Sequence, residues 1–595
     1  MLLCTSTALS AATWQGTVFN DSNGNGRRDG GEAGIAGVAV SNGAAVVRTD
    51  AAGRYVLNGE GEGFVFVVKP RGWRIPVEGS NLPAFYRRLA GGPGAPGDGR
   101  SEMGDRGVVR VPSPGESPRQ GSAGATSGNP GNQQPSMPSA QSSGAGAGTQ
   151  NPGAALDFPL VAAVEPDAFR ALVFADTQVG SEKEIGYLER TIIDGIVNDR
   201  GGPEGQRVGG SDNRGRASGP ALPPAAALPS DPQTLRSSDP RIAFGVTLGD
   251  VTNDKPELYD ALNRAIARIG VPWYPLLGNH DLDLGAMQDR GSAATFEAKY
   301  GPSTHAFQYG QVLFVALNNV RYQGGLRYLG GLTDGQFGWI EQLLAGTPRE
   351  TLVVVMMHIP WFFNDPANNA TFRLADRARL FGLLAGRPNL LLLSGHSHYQ
   401  RHVFYTAAEG WTGAVPLHEY NVAAASGGFW GGPPDASGIP IATQWDGTPH
   451  GYAILSFDGT KPPQMDYRAA RKAPDDQIGL WGPAVVALKQ GFVSFYANVY
   501  NGHEGWKIEA RVDDRTWGPM RKVVDWDPGY AAQYLAQDAG PAPAPTPRLP
   551  DPLVNYHLWR AYLPADLAAG PHTIEVRATD PAGMIYTARR DVIIR

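Results

Sequence analysis

The stretch ALVFADTQ, residues 171–178, joins an unbroken apolar run to an acidic residue. Such a run is typical of a strand that is buried on both faces of a parallel sheet. In open α/β sheets the carboxyl ends of the strands meet at one crevice, where ligands bind. Asp176 therefore stands where a metal site would need a carboxylate, and Gln178 follows two residues later. The stretch predicts an α/β domain with a functional site at its strand ends.

Further apolar runs follow the same plan between residues 158 and 460, and they alternate with segments of helical spacing. Helices are predicted over 182–198, 256–269, 333–345 and 371–385. This alternation predicts α/β layers around sheets that are shielded on both faces. The further runs are IAFGVTLGD (242–250), WYPLLGNHD (273–281), QVLFVALNN (311–319), TLVVVMMH (351–358) and NLLLLSGH (389–396).

Five of these strands end in side chains that can bind a metal or move a proton. A single histidine at a strand end is more often structural, but five strand ends that agree favour a metal centre. Mixed imidazole and carboxylate donors suit transition metals, whereas a cage of oxygens alone would suggest Mg²⁺ or Ca²⁺. The side chains are Asp176, Gln178, Asp250, Asn279, His280, Asp281, His358, His396 and His398.

The motifs ADTQ, LGDVTND, LGNHD, MMHIP and SGHSH occur in an order that resembles the calcineurin-like metallophosphoesterase superfamily. The resemblance covers roughly residues 165–460, and the flanking segments resemble a subgroup with extra N- and C-terminal β domains. It implies a four-layer α/β/β/α fold and two divalent transition metals, Mn, Fe or Zn. It also implies hydrolysis of a phosphate monoester or diester, in which a hydroxide activated by both metals attacks phosphorus in line.

The resemblance implies two ligand sets that share Asp250 as a bridge. Gln178 stands where the pattern usually carries a histidine. Because a carboxamide oxygen is a harder donor than an imidazole nitrogen, this difference favours Mn²⁺ and weakens the first metal without removing it. The first set is Asp176, Gln178, Asp250 and His398, and the second set is Asp250, Asn279, His358 and His396.

His280 follows a ligand in the motif GNHD, and the resemblance implies that it faces the substrate. Its predicted role is to stabilise the phosphoryl oxygens or to protonate the leaving group. Asp281 is predicted to orient the His280 ring and to raise its pKa. Asn253 or Asp254 is predicted to orient metal ligands through hydrogen bonds.

The composition divides the chain into an α/β core flanked by β-sandwich domains. Alternating runs before residue 91 and after about 480 are typical of antiparallel strands. Tracts rich in Gly, Ser and Pro cannot bury enough apolar surface to form a core. The predicted segments are a signal-peptide remnant (1–13), an N-terminal β-sandwich (14–91), a disordered linker (92–157), the metallophosphoesterase domain (158–465) with a flexible insertion (201–240), and a C-terminal β-sandwich-like domain (466–595).

The bulk properties exclude several kinds of protein. A net charge of −6 and a pI of about 6.0 give no global basic field for nucleic acid. The one cysteine, Cys4, allows no intrachain disulfide. No run of about 20 apolar residues is present, so no membrane span is expected. The first residues are typical either of the end of a signal peptide or of a disordered tail. We expect an extracytoplasmic protein, periplasmic or secreted, with cell-surface association through its β domains.

Two further patterns allow two interpretations each. DSNGNGRRDGGE, residues 21–32, fits a calcium-loop template, but strands flank it, so it is either a Ca²⁺ site or an Asx-rich turn. The Gly-rich turns beside Phe429, Trp430 and Trp445 either line a pocket for a leaving group or pack as structural turns. The alternative function is a non-catalytic cell-surface binding protein that uses its β domains on a degenerate phosphoesterase scaffold.

Overall fold

The structure is a computed structural model that describes residues 13–59, 63–77, 79–89, 155–201, 241–362, 372–539 and 547–595. Residues 1–12 of the predicted signal-peptide remnant, with Cys4, lie outside the described residues, as do 92–154 of the predicted linker and 202–240 of the predicted insertion. Among the described residues, no helix has the length and apolarity that crossing a membrane requires.

The N-terminal domain consists of two four-stranded sheets, in the orders β4-β1-β8-β6 and β3-β2-β5-β7. Strand β8 pairs in parallel with β1, so the predicted start of the central domain at residue 158 falls in a strand of the N-terminal sheet. The Tyr55 hydroxyl donates to the Leu156 carbonyl at 2.7 Å, and this hydrogen bond stabilises the segment just before β8 on the N-terminal domain. The strands are β1 Thr13–Asn20, β2 Ala39–Ser41, β3 Val46–Arg48, β4 Arg54–Asn58, β5 Phe64–Val67, β6 Trp73–Arg74, β7 Tyr86–Arg88 and β8 Phe158–Ala162.

The central domain contains two stacked sheets that begin with β9 and end with β21. One sheet has the order β11-β10-β9-β20-β21 and the other has the order β12-β13-β16-β17-β19-β18, while β14 and β15 form a separate hairpin. Within these sheets β9, β10 and β11 run parallel, as do β13, β16 and β17. The strands are β9 Ala168–Phe174, β10 Ile242–Thr247, β11 Trp273–Pro275, β12 His305–Tyr309, β13 Val312–Ala316, β14 Val320–Gly324, β15 Arg327–Gly330, β16 Leu352–Met356, β17 Leu390–Ser394, β18 Arg401–Tyr405, β19 Leu417–Asn421, β20 Gly451–Asp458 and β21 Gln464–Ala469.

Helices cover the outer face of each central sheet, which gives the predicted α/β/β/α order. In β16, Val354 packs between the two sheets, whereas Val353 and Val355 pack toward the helices. A strand that is buried on both faces must be apolar at every position, which explains the unbroken run. The helices are α1 Glu182–Leu188, a π turn Glu189–Ile193, α2 Asp194–Gly201, a 3-10 turn Pro256–Leu258, α3 Tyr259–Ala267, a 3-10 turn Asn279–Asp281, α4 Ala294–Tyr300, α5 Asp334–Ala345, α6 Leu374–Leu384 and a 3-10 turn Ala407–Glu409.

The C-terminal domain is a sandwich of two sheets, in the orders β22-β24-β28-β27 and β23-β30-β29-β25-β26. Buried side chains from both sheets, including Phe495 and Ile574, form one apolar cluster between them. The elements are β22 Ile478–Trp481, β23 Val485–Val486, β24 Ser494–Val499, β25 Lys507–Val512, β26 Gly518–Pro519, β27 Arg521–Trp526, α7 Pro528–Ala536, a 3-10 turn Gln537–Ala539, β28 Val554–Tyr562, β29 Gly570–Thr579 and β30 Ile585–Ile594.

A buried ion pair joins the N-terminal domain to the central domain. The Lys69 ammonium contacts the Glu165 carboxylate, and the two side chains are 6% and 3% exposed. The same ammonium donates to the Gln308 carbonyl at 2.7 Å, next to β12 and β13. Glu165 also accepts from the Gly72 amide at 3.1 Å. Burial lowers the pKa of Lys69, although the Glu165 carboxylate opposes this shift. The interface therefore depends on each charge keeping its partner.

Lys69→Met is expected to destabilise the protein by about 3–5 kcal/mol, because it leaves a buried carboxylate without its counter-charge. Thermal unfolding of the full chain, followed by circular dichroism, measures the change. The double variant K69M/E165Q keeps an oxygen acceptor for the Gly72 amide but removes the charge, so it is expected to recover much of the lost stability. A double variant no more stable than K69M would contradict this account.

Candidate metal centre

The donor side chains predicted from the sequence lie together where strands of both central sheets end. All are buried except His396, which is half-buried. The donors follow five strands: Asp176 and Gln178 after β9, Asp250 after β10, Asn279 after β11, His358 after β16, and His396 and His398 after β17.

Four donor atoms converge around His358. Its Nε2 atom lies 3.0 Å from Asn279 Oδ1, 3.1 Å from His396 Nδ1 and 3.3 Å from Asp250 Oδ1. Ligand atoms of Asp250, His358 and His396 all lie within 4.8 Å of one another, which makes this group a candidate to hold a metal ion. These four side chains are the set that the resemblance implies for the second metal.

Asp250 connects this group to the remaining donors. Its Oδ1 atom faces His358, whereas its Oδ2 atom accepts from Gln178 Nε2 at 3.2 Å. On the side of the remaining donors, His398 Nε2 lies 3.8 Å from Asp176 Oδ1. A carboxylate has two oxygens, so Asp250 can face both groups at once, as a bridging ligand must.

Backbone carbonyls fix the orientation of two imidazole rings. His358 Nδ1 lies 2.8 Å from the Leu248 carbonyl oxygen, and His398 Nδ1 lies 2.5 Å from the Gly427 carbonyl oxygen. Because a carbonyl only accepts, each Nδ1 atom carries the proton and donates. In the neutral ring the Nε2 atom then carries a lone pair that is directed at the other donors. A lone pair on Nε2 and an oxygen acceptor repel each other unless a cation or a proton lies between them. Burial lowers the pKa of His358, but the Asp250 carboxylate raises it to about 9, so this ring holds a proton that a bound metal would replace.

Gln178 supplies a direct test of whether the site fits a metal. Its side chain is 1% exposed, and its Oε1 atom has no hydrogen-bond partner among the described residues. A buried carbonyl oxygen without a partner costs free energy, typically about 1–3 kcal/mol. A divalent cation would satisfy this oxygen, so the residues present fit the metals that the resemblance implies.

Burial sets the charge state of the donors. It raises the pKa of Asp176 to about 7, although His358 opposes this shift. Burial also raises the pKa of Asp250, but His358 and His280 outweigh it and hold that pKa below its ordinary value. Burial lowers the pKa of His398 to about 4, so this ring is neutral at pH 7. Buried carboxylates beside neutral imidazoles are a donor set for cations.

The loops that carry the donors are strained and tightly packed. Six residues here have φ between 42° and 72°, a region that residues other than Gly seldom adopt. Such strain persists only where the surroundings enforce it. Gly278 illustrates the packing, since a Cβ atom there would lie 2.2 Å from Asp250 Oδ1. The strained residues are Asp176, Gln178, Asp250, Asp254, His396 and His398.

The residue that pairs with the His280 ring is Asp254, rather than Asp281 as the sequence suggested. His280 Nδ1 lies 3.0 Å from Asp254 Oδ1. Asp281 instead accepts from the backbone amides of Val251 at 3.1 Å and Gly278 at 3.0 Å, because the 3-10 turn points its side chain back toward them. Burial lowers the pKa of His280, but the carboxylates of Asp250, Asp254 and Asp281 raise it to about 9, so Asp281 contributes to the rise that was predicted for it although Asp254 pairs with the ring.

Asn319 positions His358 and was not predicted from the sequence. Its Oδ1 atom accepts from the His358 amide at 3.2 Å and from the Ile359 amide at 3.1 Å. Its Nδ2 atom donates to the Ile359 carbonyl at 2.6 Å. The side chain is fully buried, and it follows β13, the strand next to β16. The position of Asn319 after an apolar strand was the available signal, but it resembled an ordinary turn.

A cleft of about 420 Å³ opens at the donors, and it is lined partly by the turns around residue 430. Phe429 and Trp445 line it, whereas Trp430 is 1% exposed and donates to the Thr177 carbonyl at 3.2 Å. Two of the three aromatic side chains therefore face the cleft and one packs beneath it. The lining residues are Gln178, Asp250, Asn279, His280, Tyr328, His396, Ser397, His398, Tyr399, Phe429, Trp445 and Leu553.

The loop over residues 21–32 is closed by its own hydrogen bonds. Asp21 accepts from the Gly26 amide at 2.8 Å, and Glu32 accepts from the amides of Ser22 at 2.9 Å and Asp29 at 3.0 Å. These contacts are compatible with an Asx-rich turn, and the Ca²⁺ site there stays a prediction.

Gln178→His replaces a neutral oxygen by an imidazole nitrogen, which softer metals prefer. We expect the affinity for Zn²⁺ to rise by about tenfold relative to the affinity for Mn²⁺. Calorimetric titration of the metal-free protein with each ion measures this ratio. The matched control is Gln311→His, because Gln311 donates to Asp167 instead of lining the cleft. An unchanged ratio in Q178H would mean that Gln178 does not contact the metal.

Two solved structures illustrate what the chain is similar to. The first is a purple acid phosphatase, PPD1, from yellow lupin (Lupinus luteus) seeds, with 14% identity, 52% of this chain covered and a TM-score of 0.34. That alignment spans only 55% of the lupin chain. The second is a metallophosphoesterase from Sphaerobacter thermophilus, with 12% identity, 51% of this chain and 89% of that chain covered, and a TM-score of 0.22. No curated protein matches the sequence.

Three family models match the sequence. The model for calcineurin-like phosphoesterase matches residues 233–400. The model for its N-terminal part matches residues 22–95, and the model for its C-terminal part matches residues 419–586. The three regions lie in the expected order and together cover more than half of the chain. The chain belongs to the calcineurin-like phosphoesterases and carries both the N-terminal and the C-terminal extension of that family.

Proposed function

We propose that this protein hydrolyses phosphate esters, monoesters or diesters, with two divalent transition metals as cofactors. The observation that carries the proposal is the convergence of six further buried or half-buried donors on Asp250, with His280 at the same cleft. A structural role alone would not explain why an unpartnered oxygen, neutral imidazoles and carboxylates share one buried space.

In this proposal each metal has its own ligand set, and Asp250 belongs to both. The two cations, when bound, would lower the pKa of a water molecule and offset negative charge on the phosphate oxygens. Gln178 favours Mn²⁺ over softer ions at the first site. The proposed ligands are Asp176, Gln178, Asp250 and His398 for the first metal, and Asp250, Asn279, His358 and His396 for the second.

His280 is the proposed catalytic residue outside the ligand sets. Its amide donates to Asp250 Oδ1 at 2.8 Å, which fixes the residue beside the metal ligands, and its ring lines the cleft. Asp254 accepts a hydrogen bond from His280 Nδ1, so the Nε2 proton of the charged ring is the one directed to substrate. From that atom the ring donates a hydrogen bond to a phosphoryl oxygen or passes the proton to the leaving group.

Asp254 and Asp281 are proposed as positioning residues. Asp254 holds the His280 ring, and Asp281 holds the turn that carries both His280 and Asn279 through the Gly278 amide. The two residues have different roles because Asp254 follows β10, whereas Asp281 ends the 3-10 turn after β11. No described feature bears on the predicted extracytoplasmic location or cell-surface association, and both stay predictions.

The test of the proposal is a substrate panel on the full chain. The protein is loaded with Mn²⁺ and assayed with bis-p-nitrophenyl phosphate, nucleotides, dinucleotide diesters, phospholipid headgroups and sugar phosphates. Hydrolysis of one class above the metal-free rate supports the proposal and separates diester from monoester activity. Absence of hydrolysis with Mn, Fe, Zn, Co and Ni each supplied would overturn it in favour of a binding protein.

His280→Asn is expected to lower kcat/KM by about 10²–10⁴-fold, the range for losing a general acid. Metal binding measured by calorimetry is expected to stay unchanged, because His280 is not a proposed ligand. Asp254→Asn is expected to lower kcat about tenfold, because Asn can still accept from His280 Nδ1 but lacks the negative charge that helps to keep the ring protonated. His572→Asn, in the C-terminal domain, is the control. An H280N variant with full activity would remove His280 from the proposed mechanism.

A further inference from the structure

Beyond the metal donors, the wall of the cleft is aromatic and apolar. Besides His280 and Ser397, the side chains there are Tyr328, Tyr399, Phe429, Trp445 and Leu553. Among the described residues that line the cleft, none is Lys or Arg. Apart from the His280 ring beside the donors, a second phosphate or carboxylate on a substrate would meet no cationic side chain among these lining residues, whereas an apolar ring would gain contact.

Phe429 is held at the metal centre in a strained conformation. The side chain is half-buried, and its φ of 54° lies in the left-handed region. An aromatic residue reaches that region only at a cost in free energy, so the surroundings must hold it there. Its ring stacks on the His398 imidazole, with centroids 4.4 Å apart and planes inclined by 26°. The exposed part of the ring therefore lies beside a proposed metal ligand.

Trp445 extends this aromatic surface. Its ring stacks on the same imidazole at 5.4 Å and 24°, and its centroid lies 6.1 Å from that of Phe429. Both rings pack against His398 and against each other. The result is a continuous aromatic surface that begins at the metal centre.

The C-terminal domain supplies the next part of the wall. The Trp445 amide donates to the His398 carbonyl at 3.1 Å, and the Leu553 amide donates to the Trp445 carbonyl at 2.9 Å. Leu553 directly precedes β28, so one short chain of backbone hydrogen bonds leads from a proposed ligand to the C-terminal sandwich. Leu553 is thereby fixed relative to the metal centre.

Asp446 anchors this contact. Its Oδ2 atom accepts from the Gln400 amide at 2.9 Å and lies 2.9 Å from His557 Nε2. Its carbonyl accepts from Asn555 at 2.7 Å and from Asn498 at 3.2 Å. All these side chains are buried, and three of them belong to the C-terminal domain. An interface of this kind holds its two sides in one arrangement.

A cation–π contact braces the outer part of the wall. The Arg401 guanidinium lies 3.7 Å from the centroid of the Tyr556 ring of β28 and 4.5 Å from the centroid of Phe362. Tyr556 in turn lies 6.3 Å from Tyr399, which lines the cleft. The Arg401 guanidinium thus contacts two aromatic rings, and the outer part of the cleft wall is aromatic at Tyr399 and Tyr556.

We propose that Phe429, Trp445, Tyr399 and Leu553 form a subsite for a planar aromatic group on the esterified oxygen of the substrate. The proposal rests on the proposed function, because the metal centre must hold the phosphate for the ring to reach this wall. It assigns the C-terminal domain a direct part in substrate choice. The substrate class is a phosphate ester of an aromatic or heterocyclic alcohol, and esters of small aliphatic or multiply charged alcohols are disfavoured.

The test compares phenylphosphonate with methylphosphonate as competitive inhibitors of the Mn²⁺-loaded full chain. Neither is hydrolysed at phosphorus–carbon, so the comparison removes differences in leaving-group reactivity and leaves the contribution of the ring. We expect wild-type protein to bind phenylphosphonate at least tenfold more tightly. Phe429→Ala and Leu553→Ala are each expected to reduce this ratio to threefold or less. Phe492→Ala, at a residue of the C-terminal domain that is 91% exposed, is expected to keep it.

The outcomes separate the two proposals. If both phosphonates inhibit equally in the wild-type protein, the subsite is wrong while the phosphoesterase proposal stands. If the ratio is high but unaffected by L553A, the C-terminal domain takes no part and the proposal as stated is overturned. If neither phosphonate binds and no ester is hydrolysed, both proposals fail together. A high ratio that falls in F429A and L553A but not in F492A supports the subsite.

Discussion

Two buried carboxylates, Asp176 and Asp250, constrain the rest of the structure. They are 0% and 1% exposed, and they lie where strands from both central sheets end. An uncompensated charge in such a place is very costly. The fold surrounds them with imidazoles and with backbone amides, such as the His396 amide that lies 2.9 Å from Asp176 Oδ2. The strained loops and the close-packed Gly278 follow from the need to bring these donors together.

Much of this arrangement could be predicted from the sequence, because a strand buried on both faces has few alternatives. The run before His358 alternates between the inner core and the helix layer at every residue, so each position must be apolar. Once the strands are parallel, their carboxyl ends share one edge, and donors that follow them meet there. The helix after β9 shows the limit of such reasoning. The apolar spacing of residues 182–198 predicts one helix, but the structure has a π turn over Glu189–Ile193.

The parts that could not be predicted depend on side-chain direction or on contacts between distant segments. Asp281 is adjacent to His280, which made it the natural partner of the ring, yet the 3-10 turn directs it to the Val251 amide. Asp254 takes that place, although 26 residues separate it from His280. Asn319 acts through the backbone of a neighbouring strand. The hydrophobic periodicity of the sequence does not predict these contacts, because the geometry of the hydrogen bonds is set only after the strands have paired.

Backbone hydrogen bonds tie the C-terminal domain of this chain to the loops that carry the proposed metal ligands. An appended domain joined only by a linker could be lost without altering the chemistry. Here the Trp445 amide binds the carbonyl of His398, a residue that also faces Asp176, and Leu553 binds Trp445. Displacing β28 would therefore break the hydrogen bond between the Leu553 amide and the Trp445 carbonyl. Trp445 is in turn bonded to the backbone of the proposed ligand His398. Since the Asp446 network buries polar groups from both domains, such a displacement would also break the hydrogen bond from Asn555 to the Asp446 carbonyl and separate His557 from the Asp446 carboxylate. The two domains consequently form one unit around the cleft, and a change in the docking of the C-terminal domain must alter the metal centre as well.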